Sequence, residues 1–238
     1  MRFESNIFMK ILLVGEQQRA EELRARLSAA QDVEIDYTDG DSDEDYKDYD
    51  CIFDLNFDDD PSNLTIYAGL RDKAVFVNTV KLSLNEAVYT GNVKARCMLF
   101  GFNGLPSFIG QSKWEVSLYR KFQTPDLDKL MKQLGIEYLT VEDRIGLVKP
   151  RIIFMIINEA CFTLQEGTAT IEDIDMGMKL GTNYPYGPFE WADRIGISHI
   201  YETLEAVYAD THDERYKICP LLKTKYLRKE LFYPVPAV

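Results

Sequence analysis

The chain has 238 residues, enough for one large or two modest domains, and 46% of them are hydrophobic, an ordinary globular content. Its formal net charge of −12 argues against nucleic acid and anionic membrane as partners, since both need a basic face. The same charge makes any anionic ligand depend on a locally positive pocket.

Four cysteines, Cys51, Cys97, Cys161 and Cys219, are widely spaced in apolar stretches. They show neither metal-ligand spacing nor a disulfide framework, which points to a reducing compartment and so to the cytoplasm. The opening MRFESNIFMK lacks the apolar segment of a signal peptide. The longest strongly apolar run, IIFMII at 152–157, is far short of a membrane span. Met9 followed by KILLVG reads as a natural start, so residues 1–8 are expected to be an extension with no role in the fold.

In chain order, strand patterns fall on KILLV (10–14), VEIDY (33–37), CIFDLN (51–56), AVFVNTV (74–80), ARCMLFGF (95–102), WEVSLYR (114–120) and IEYLTVE (136–142). Several are continuous apolar runs, as parallel strands buried on both faces require. Helical patterns intervene at 16–30, 62–71, 83–89 and 125–134. The acidic TDGDSDEDYKDYD (38–50) has no periodic apolar face and reads as a solvated linker. It also lacks the ordered spacing of a carboxylate metal loop, and no metal is expected.

Near 145 the pattern turns wholly helical. GLVKPRIIFMIINEACFTLQEG predicts a long apolar helix ending at Gly167. TIEDIDMGMKLG predicts a helix capped by Thr170, with Glu172 and Asp173 in its first turn, stopping at Gly181. Pro185, Gly187 and Pro188 read as a turn between helices. ISHIYETLEAVYADT and a short segment near CPLLKTKYLRKEL complete the set. The expected architecture is α/β: a Rossmann-like, doubly wound, mostly parallel sheet domain over residues 1–145, then an all-α domain over 146–238, with the boundary inside 143–147.

The first strand ends at Gly15, where a dinucleotide-binding turn would read G-x-G-x-x-G. Gln17 and Ala20 stand at the second and third glycine positions, and Glu16 adds negative charge where a pyrophosphate would sit. Asp36, 21 residues after Gly15, has near the spacing of a ribose-binding carboxylate.

One stretch is specific: EDIDMGMKLGTNYPYGPFEWADRIGI, 172–197. It resembles the C-terminal domain of the 3-hydroxyacyl-CoA dehydrogenases, especially the bacterial 3-hydroxybutyryl-CoA dehydrogenases, which carry E-D-I-D, G-x-N-x-P-x-G-P and A-D-x-I-G in this order. IINEACFTLQEGTAT upstream and YKICPLLK downstream fit the same domain. The N-terminal half resembles the family more loosely, through DCIFDLN, VNTVKLSL, RCMLFGFNGLP, WEV and GLVKPR. The resemblance implies NAD as cofactor and a homodimer formed through the helical domain, which also walls the substrate cleft.

The family's chemistry needs a histidine base oriented by a glutamate, with a serine and an asparagine on the substrate oxygen. On this chain the histidine position falls on Phe100, the glutamate on Glu115, the two serines of N-T-S-S on Val80 and Lys81, and the asparagine on Pro150. Phenylalanine accepts no proton, and loss of a positioned general base costs roughly 10²–10⁴-fold in rate. Pro150 removes a side-chain amide and a backbone donor together. Gly15, Asp36 and Asn78 remain as remnants of cofactor binding, and Asn103 as a remnant of substrate binding.

The resulting expectation is a relative without NAD binding or catalysis, a homodimeric scaffold or a binder of a small acyl or nucleotide-like ligand. The alternative is an active NAD-dependent 3-hydroxyacyl-CoA dehydrogenase in which Lys81 moves the proton and Glu115 assists. A different enzyme using a cleft lined by Asn78, Lys81, Asn103 and Glu115 is a third reading. Without a special role, Lys81 is expected to be a solvated lysine at a strand end and Glu115 a surface residue.

Overall fold

The structure is a computed structural model that describes residues 8–28, 30, 32–40 and 45–233. The expected extension at residues 1–8 lies outside these but for exposed Phe8, as does the middle of the acidic stretch. The chain divides into two compact units, with the division between Leu147 and Val148.

Among its described residues the first unit has seven strands: β1 (Met9–Val14), β2 (Val33–Thr38), β3 (Cys51–Asp54), β4 (Ala74–Asn78), β5 (Met98–Phe102), β6 (Lys113–Leu118) and β7 (Glu137–Thr140). Their order is β2-β1-β3-β4-β5-β6-β7. Every pairing is parallel except β5 with β6, so the sheet is doubly wound and mostly parallel. The central strands β3 and β4 are buried at every position, which is why their sequences are unbroken apolar runs.

Alternate residues of these strands build two cores, one on each face. Leu13, Phe53, Phe76, Phe100, Phe102, Trp114 and Val116 pack on one face with Leu23, Leu127 and Met131. Those helical residues belong to α1 (Gln17–Leu27) and α4 (Thr124–Gln133). Leu12, Val14, Ile52, Val75, Val77 and Leu99 pack on the other, with Leu64 and Tyr67 of α2 (Leu64–Tyr67) and Leu84 and Val88 of α3 (Leu84–Thr90). The helix expected at 62–71 shortens to α2 after a single 3₁₀ turn at Pro61–Asn63.

Two tyrosines change the reading of the acidic stretch. Tyr46 and Tyr49 are 7% and 8% exposed and plug into the second core around a 3₁₀ turn at Tyr46–Asp48. The described part is therefore a pinned crossover rather than a solvated linker.

Among its described residues the second unit holds five α-helices: α5 (Lys149–Gln165), α6 (Ile171–Thr182), α7 (Pro188–Ile195), α8 (Ile197–Thr211) and α9 (Pro220–Arg228). Thr170 caps α6, its hydroxyl accepting from Asp173 N at 3.2 Å. The helix runs through Gly181 and stops one turn-residue later, at Asn183 in the left-handed region with φ 56°. The turn read at Pro185, Gly187 and Pro188 lies between α6 and α7 and leads into α7, with Gly187 as the N-cap and Pro188 first in the helix, where its missing N–H costs nothing. Asp175 of α6 ties this junction by accepting from Phe189 N (2.8 Å) and Glu190 N (2.9 Å). A Cβ on Gly187 would sit 2.3 Å from that carboxylate's Cβ and Cγ, so the close approach requires glycine.

Candidate dinucleotide site

In a doubly wound sheet the ligand crevice lies beyond the carboxyl ends of the strands, at the switch in strand order. Here β1, β3, β4 and β5 bring Gly15, Asn56, Asn78 and Gly104 to that edge. Gly15 sits at φ 120°, a conformation that L side chains rarely adopt. Its N–H donates to Thr38 O at 3.0 Å, and its carbonyl accepts from the Tyr37 hydroxyl at 2.9 Å. A Cβ on Gly15 would meet Asn56 Oδ1 at 2.7 Å and Asn56 Cγ at 2.9 Å. The Asn56 amide thus lies directly over the turn, close-packed on the glycine.

Asn56 also takes the hydrogen bond that a helix N-terminus offers to an anion. Glu16 N, at the start of α1, donates to Asn56 Oδ1 at 3.1 Å. Arg19, in the first turn of α1, completes the filling. Its guanidinium is 1% exposed and donates from Nε to Gly104 O at 2.9 Å, from Nη1 to Asn56 Oδ1 at 3.3 Å, and from Nη2 to Leu55 O. Burial lowers its pKa from the ordinary arginine value, while Asp58, Glu16, Asp59 and Asp54 oppose that shift by charge. One internal cation thereby bridges the ends of α1, β3 and β5.

A second chain of bonds joins β3 to β4 and β5. Asp58 accepts from Asn78 Nδ2 (2.7 Å), Val80 N (3.3 Å) and Lys81 N (3.2 Å). Burial pushes its carboxyl up to about 6, against the attraction of Lys81 and Arg19. Asn78 Oδ1 accepts from Gly104 N at 2.9 Å, and Asn103 Oδ1 from Leu105 N at 3.2 Å. Asn78 and Asn103 therefore shape the ends of β4 and β5.

The sequence-derived site residues are not all brought together. Asp36 is exposed and pairs with Leu12, whereas the strand position opposite Val14, next to the Gly15 turn, is Thr38. Two residues of strand place Asp36 roughly 7 Å short of the end, away from a ribose at the crevice. Lys81 is not solvated: its side chain is 9% exposed and ion-paired with Asp59. Glu115 is no surface residue either, being 4% exposed.

Phe100 and Glu115 stand on opposite faces of the sheet. Phe100 is fully buried in the core with Phe102, Val116 and Leu118, its ring 5.0 Å from that of Phe76. Strand alternation puts Glu115 and Ser117 on the other side, with Gly101, which pairs with Ser117. The β5 position that shares the face of Glu115 is therefore Gly101. Its side-chain space is taken: a Cβ there would lie 2.3 Å from Thr79 Oγ1 and 2.4 Å from Ser117 Oγ. Thr79 and Ser117 are 1% and 0% exposed, and neither hydroxyl has a hydrogen-bond partner among the described residues.

Pro150 lies in the first turn of α5, where the N–H it lacks would have no intrahelical partner. The substitution removes a side-chain amide but costs the backbone nothing. Among the described residues no group of three or more histidine, cysteine, aspartate or glutamate side chains could hold a metal.

Sequence reasoning passed over Arg19, Asn56 and Asp58. Arg19 carried a signal: it falls four and eight residues before Leu23 and Leu27, on the stripe of α1 that faces the sheet. Asn56 and Asp58 lie in a loop and had none.

A doubly wound sheet with a glycine turn after β1, in a chain that continues into a helical unit, defines a protein with a Rossmann-type sheet domain and a helical C-terminal unit. Comparison with known proteins carries this further. Residues 146–232 match the family model described as 3-hydroxyacyl-CoA dehydrogenase, C-terminal domain. A 3-hydroxybutyryl-CoA dehydrogenase of Clostridioides difficile is 30% identical over 187 residues, 75% of this chain and 66% of the relative. The 3-hydroxyadipyl-CoA dehydrogenase of Escherichia coli K12 is 41% identical over 97 residues, 41% of this chain and 20% of the relative. The crystal structure of (S)-3-hydroxybutyryl-CoA dehydrogenase from Ralstonia eutropha superposes with a TM-score of 0.72 at 22% identity, covering 94% of this chain and 95% of that one. The chain belongs to the 3-hydroxyacyl-CoA dehydrogenase family. The matches span only 20%, 36% and 40% of the first three curated relatives.

Proposed function

We propose that this protein has lost dinucleotide binding and catalysis, and serves as a homodimeric scaffold or as a binder of a small acyl or nucleotide-like ligand. The observation that carries the reading is the occupied α1 N-terminus. Asn56 takes the Glu16 N–H and the space over Gly15 that a pyrophosphate would need, and buried Arg19 donates to the same Asn56 oxygen. The crowded face beside Gly101 supports it, because no proton acceptor of β5 faces Glu115. The alternative, an active NAD-dependent 3-hydroxyacyl-CoA dehydrogenase, rests on Lys81; its amine is engaged in an ion pair with Asp59, which counts against its use as a base.

Homodimer formation is supported by the helical unit's exposed apolar side chains: Ile152 on α5 (55% exposed), and Met176 (60%) and Leu180 (80%) on α6. A groove of about 410 Å³ between these helices is lined by Ile156, Ala160, Ile174 and Met178. No described helix is long and apolar enough to cross a membrane. The four buried free thiols fit a reducing compartment such as the cytoplasm.

The deciding experiment is calorimetric titration with NAD and NADH, beside a turnover assay with acetoacetyl-CoA and NADH at high enzyme concentration. The reading expects neither binding nor turnover. NADH binding with turnover abolished by Lys81→Ala would overturn it in favour of the altered enzyme. Size-exclusion chromatography with light scattering tests the dimer, and Leu180→Asp is expected to yield monomer.

A further inference from the structure

A parallel sheet needs helical cover on both faces, yet among the described residues the β2–β3 crossover supplies only the 3₁₀ turn at Tyr46–Asp48. Beside it lies a cavity of about 560 Å³, between the crossover and the segment that runs from α2 towards β4. Its walls include Tyr46 and Leu70, which are 7% and 5% exposed, and Ile66, which is 46% exposed. Tyr46 is held edge-on against Tyr67, ring centroids 5.5 Å apart, so its position is fixed before any ligand arrives. Among the described residues the rim carries three cations, Lys47, Arg71 and Lys73, and one carboxylate, Asp45. Lys73 pairs with Asp50 at 3.3 Å, whereas Lys47 and Arg71 form no ion pair among the described residues.

Two unpaired cations at a concave apolar surface stand out in a chain of net charge −12. The overall field repels anions, so an anion binds only where local charge reverses it. An arginine fork matches a planar carboxylate or a phosphate, and the apolar walls accept a hydrocarbon or aromatic body. The volume lies within the ordinary range for small-molecule sites. The residues involved are none of those around Gly15, so the cavity is independent of the dinucleotide question.

We infer that this cavity between the β2–β3 crossover and α2 binds a small organic anion, an acyl or aromatic body bearing one carboxylate or phosphate. The test uses the full chain and the fluorescent anion 1-anilinonaphthalene-8-sulfonate, with its neutral analogue N-phenyl-1-naphthylamine as control. Lys47→Glu/Arg71→Glu reverses two exposed charges that support no other contact, and its unfolding midpoint is expected to match the parent. Anion affinity should fall at least about tenfold, as expected for charge-assisted bonds, while the neutral probe's affinity stays within about twofold. Ile66→Trp, which narrows the cavity without changing charge, should weaken both probes. Displacement by phenyl phosphate but not benzoate identifies a phosphate ligand, and the reverse a carboxylate. Unchanged anion affinity in the double variant would overturn the inference. So would equal loss of the neutral probe in that variant, displacement by excess NAD, or a signal that disappears only with Met178→Asp in the helical unit's groove.

Discussion

Replacing Arg19 by methionine tests whether the guanidinium is the internal occupant of the switch-point crevice. Methionine keeps much of the length and apolar stem but none of the donors. The substitution deletes charge-assisted hydrogen bonds to Gly104 O, Asn56 Oδ1 and Leu55 O, and strips Asp58 of one of its two attracting cations. Leu55 is fully buried, so its carbonyl gains no water in exchange. Each stranded buried acceptor costs about 1–3 kcal/mol, partly offset because a desolvated cation is also removed. A net loss of about 3–5 kcal/mol is expected, the range found when one partner of a buried charged pair is deleted. With a urea slope of about 2 kcal/mol per M for a unit of this size, the midpoint falls by roughly 2 M. Trp114, 4% exposed in the sheet core, reports the first unit, and a Trp191→Phe background silences the second. A loss below about 1 kcal/mol would show that the network is not held by Arg19, and the account of a filled cofactor site would fall with it.

Asp58 predicts an unusual pH response. Its carboxyl is raised in the folded state to about 6, so between about pH 4 and 6 the native state keeps a proton that the unfolded chain releases. Stability of the first unit should therefore decline as pH rises through that window, by up to about 3 kcal/mol, and level off above it; Asp58→Asn should flatten the slope, and a parent protein whose stability rises smoothly there would refute the assignment. Phe100→His should not restore turnover, because the imidazole would enter the aromatic core away from Glu115, and should destabilise by about 3–5 kcal/mol; detectable acetoacetyl-CoA reduction by that variant would contradict the strand register. Gly101→Ala should cost about 1–3 kcal/mol through overpacking against Thr79 and Ser117. Adding Ser117→Ala should return part of that loss in a double-mutant cycle, and strict additivity would exclude the contact.

The strands, most helices and the family relationship were legible in the sequence because they rest on local regularities. Continuous apolar runs mark buried parallel strands wherever they pair, and Thr170 caps α6 by a bond three residues long. The glycine losses at Gln17 and Ala20 were equally visible. What the sequence could not give was which distant groups fill the resulting space. Asn56 reaches Glu16 across 40 residues, and Arg19 reaches Gly104 across 85. The facing of β5 against β6 was also hidden, since the loop between Phe102 and Lys113 leaves the antiparallel register free until both strands are placed. A shift of one residue exchanges the two faces of a strand, so only the folded sheet could decide that Gly101, not Phe100, shares a face with Glu115. The sequence alone determined that a Rossmann-type sheet precedes a helical unit of this family, because periodicity and motif are properties of the chain itself. The tertiary structure alone decided that Asn56 stands over Gly15 and bonds Arg19, because that outcome depends on side chains meeting across the ends of separate strands.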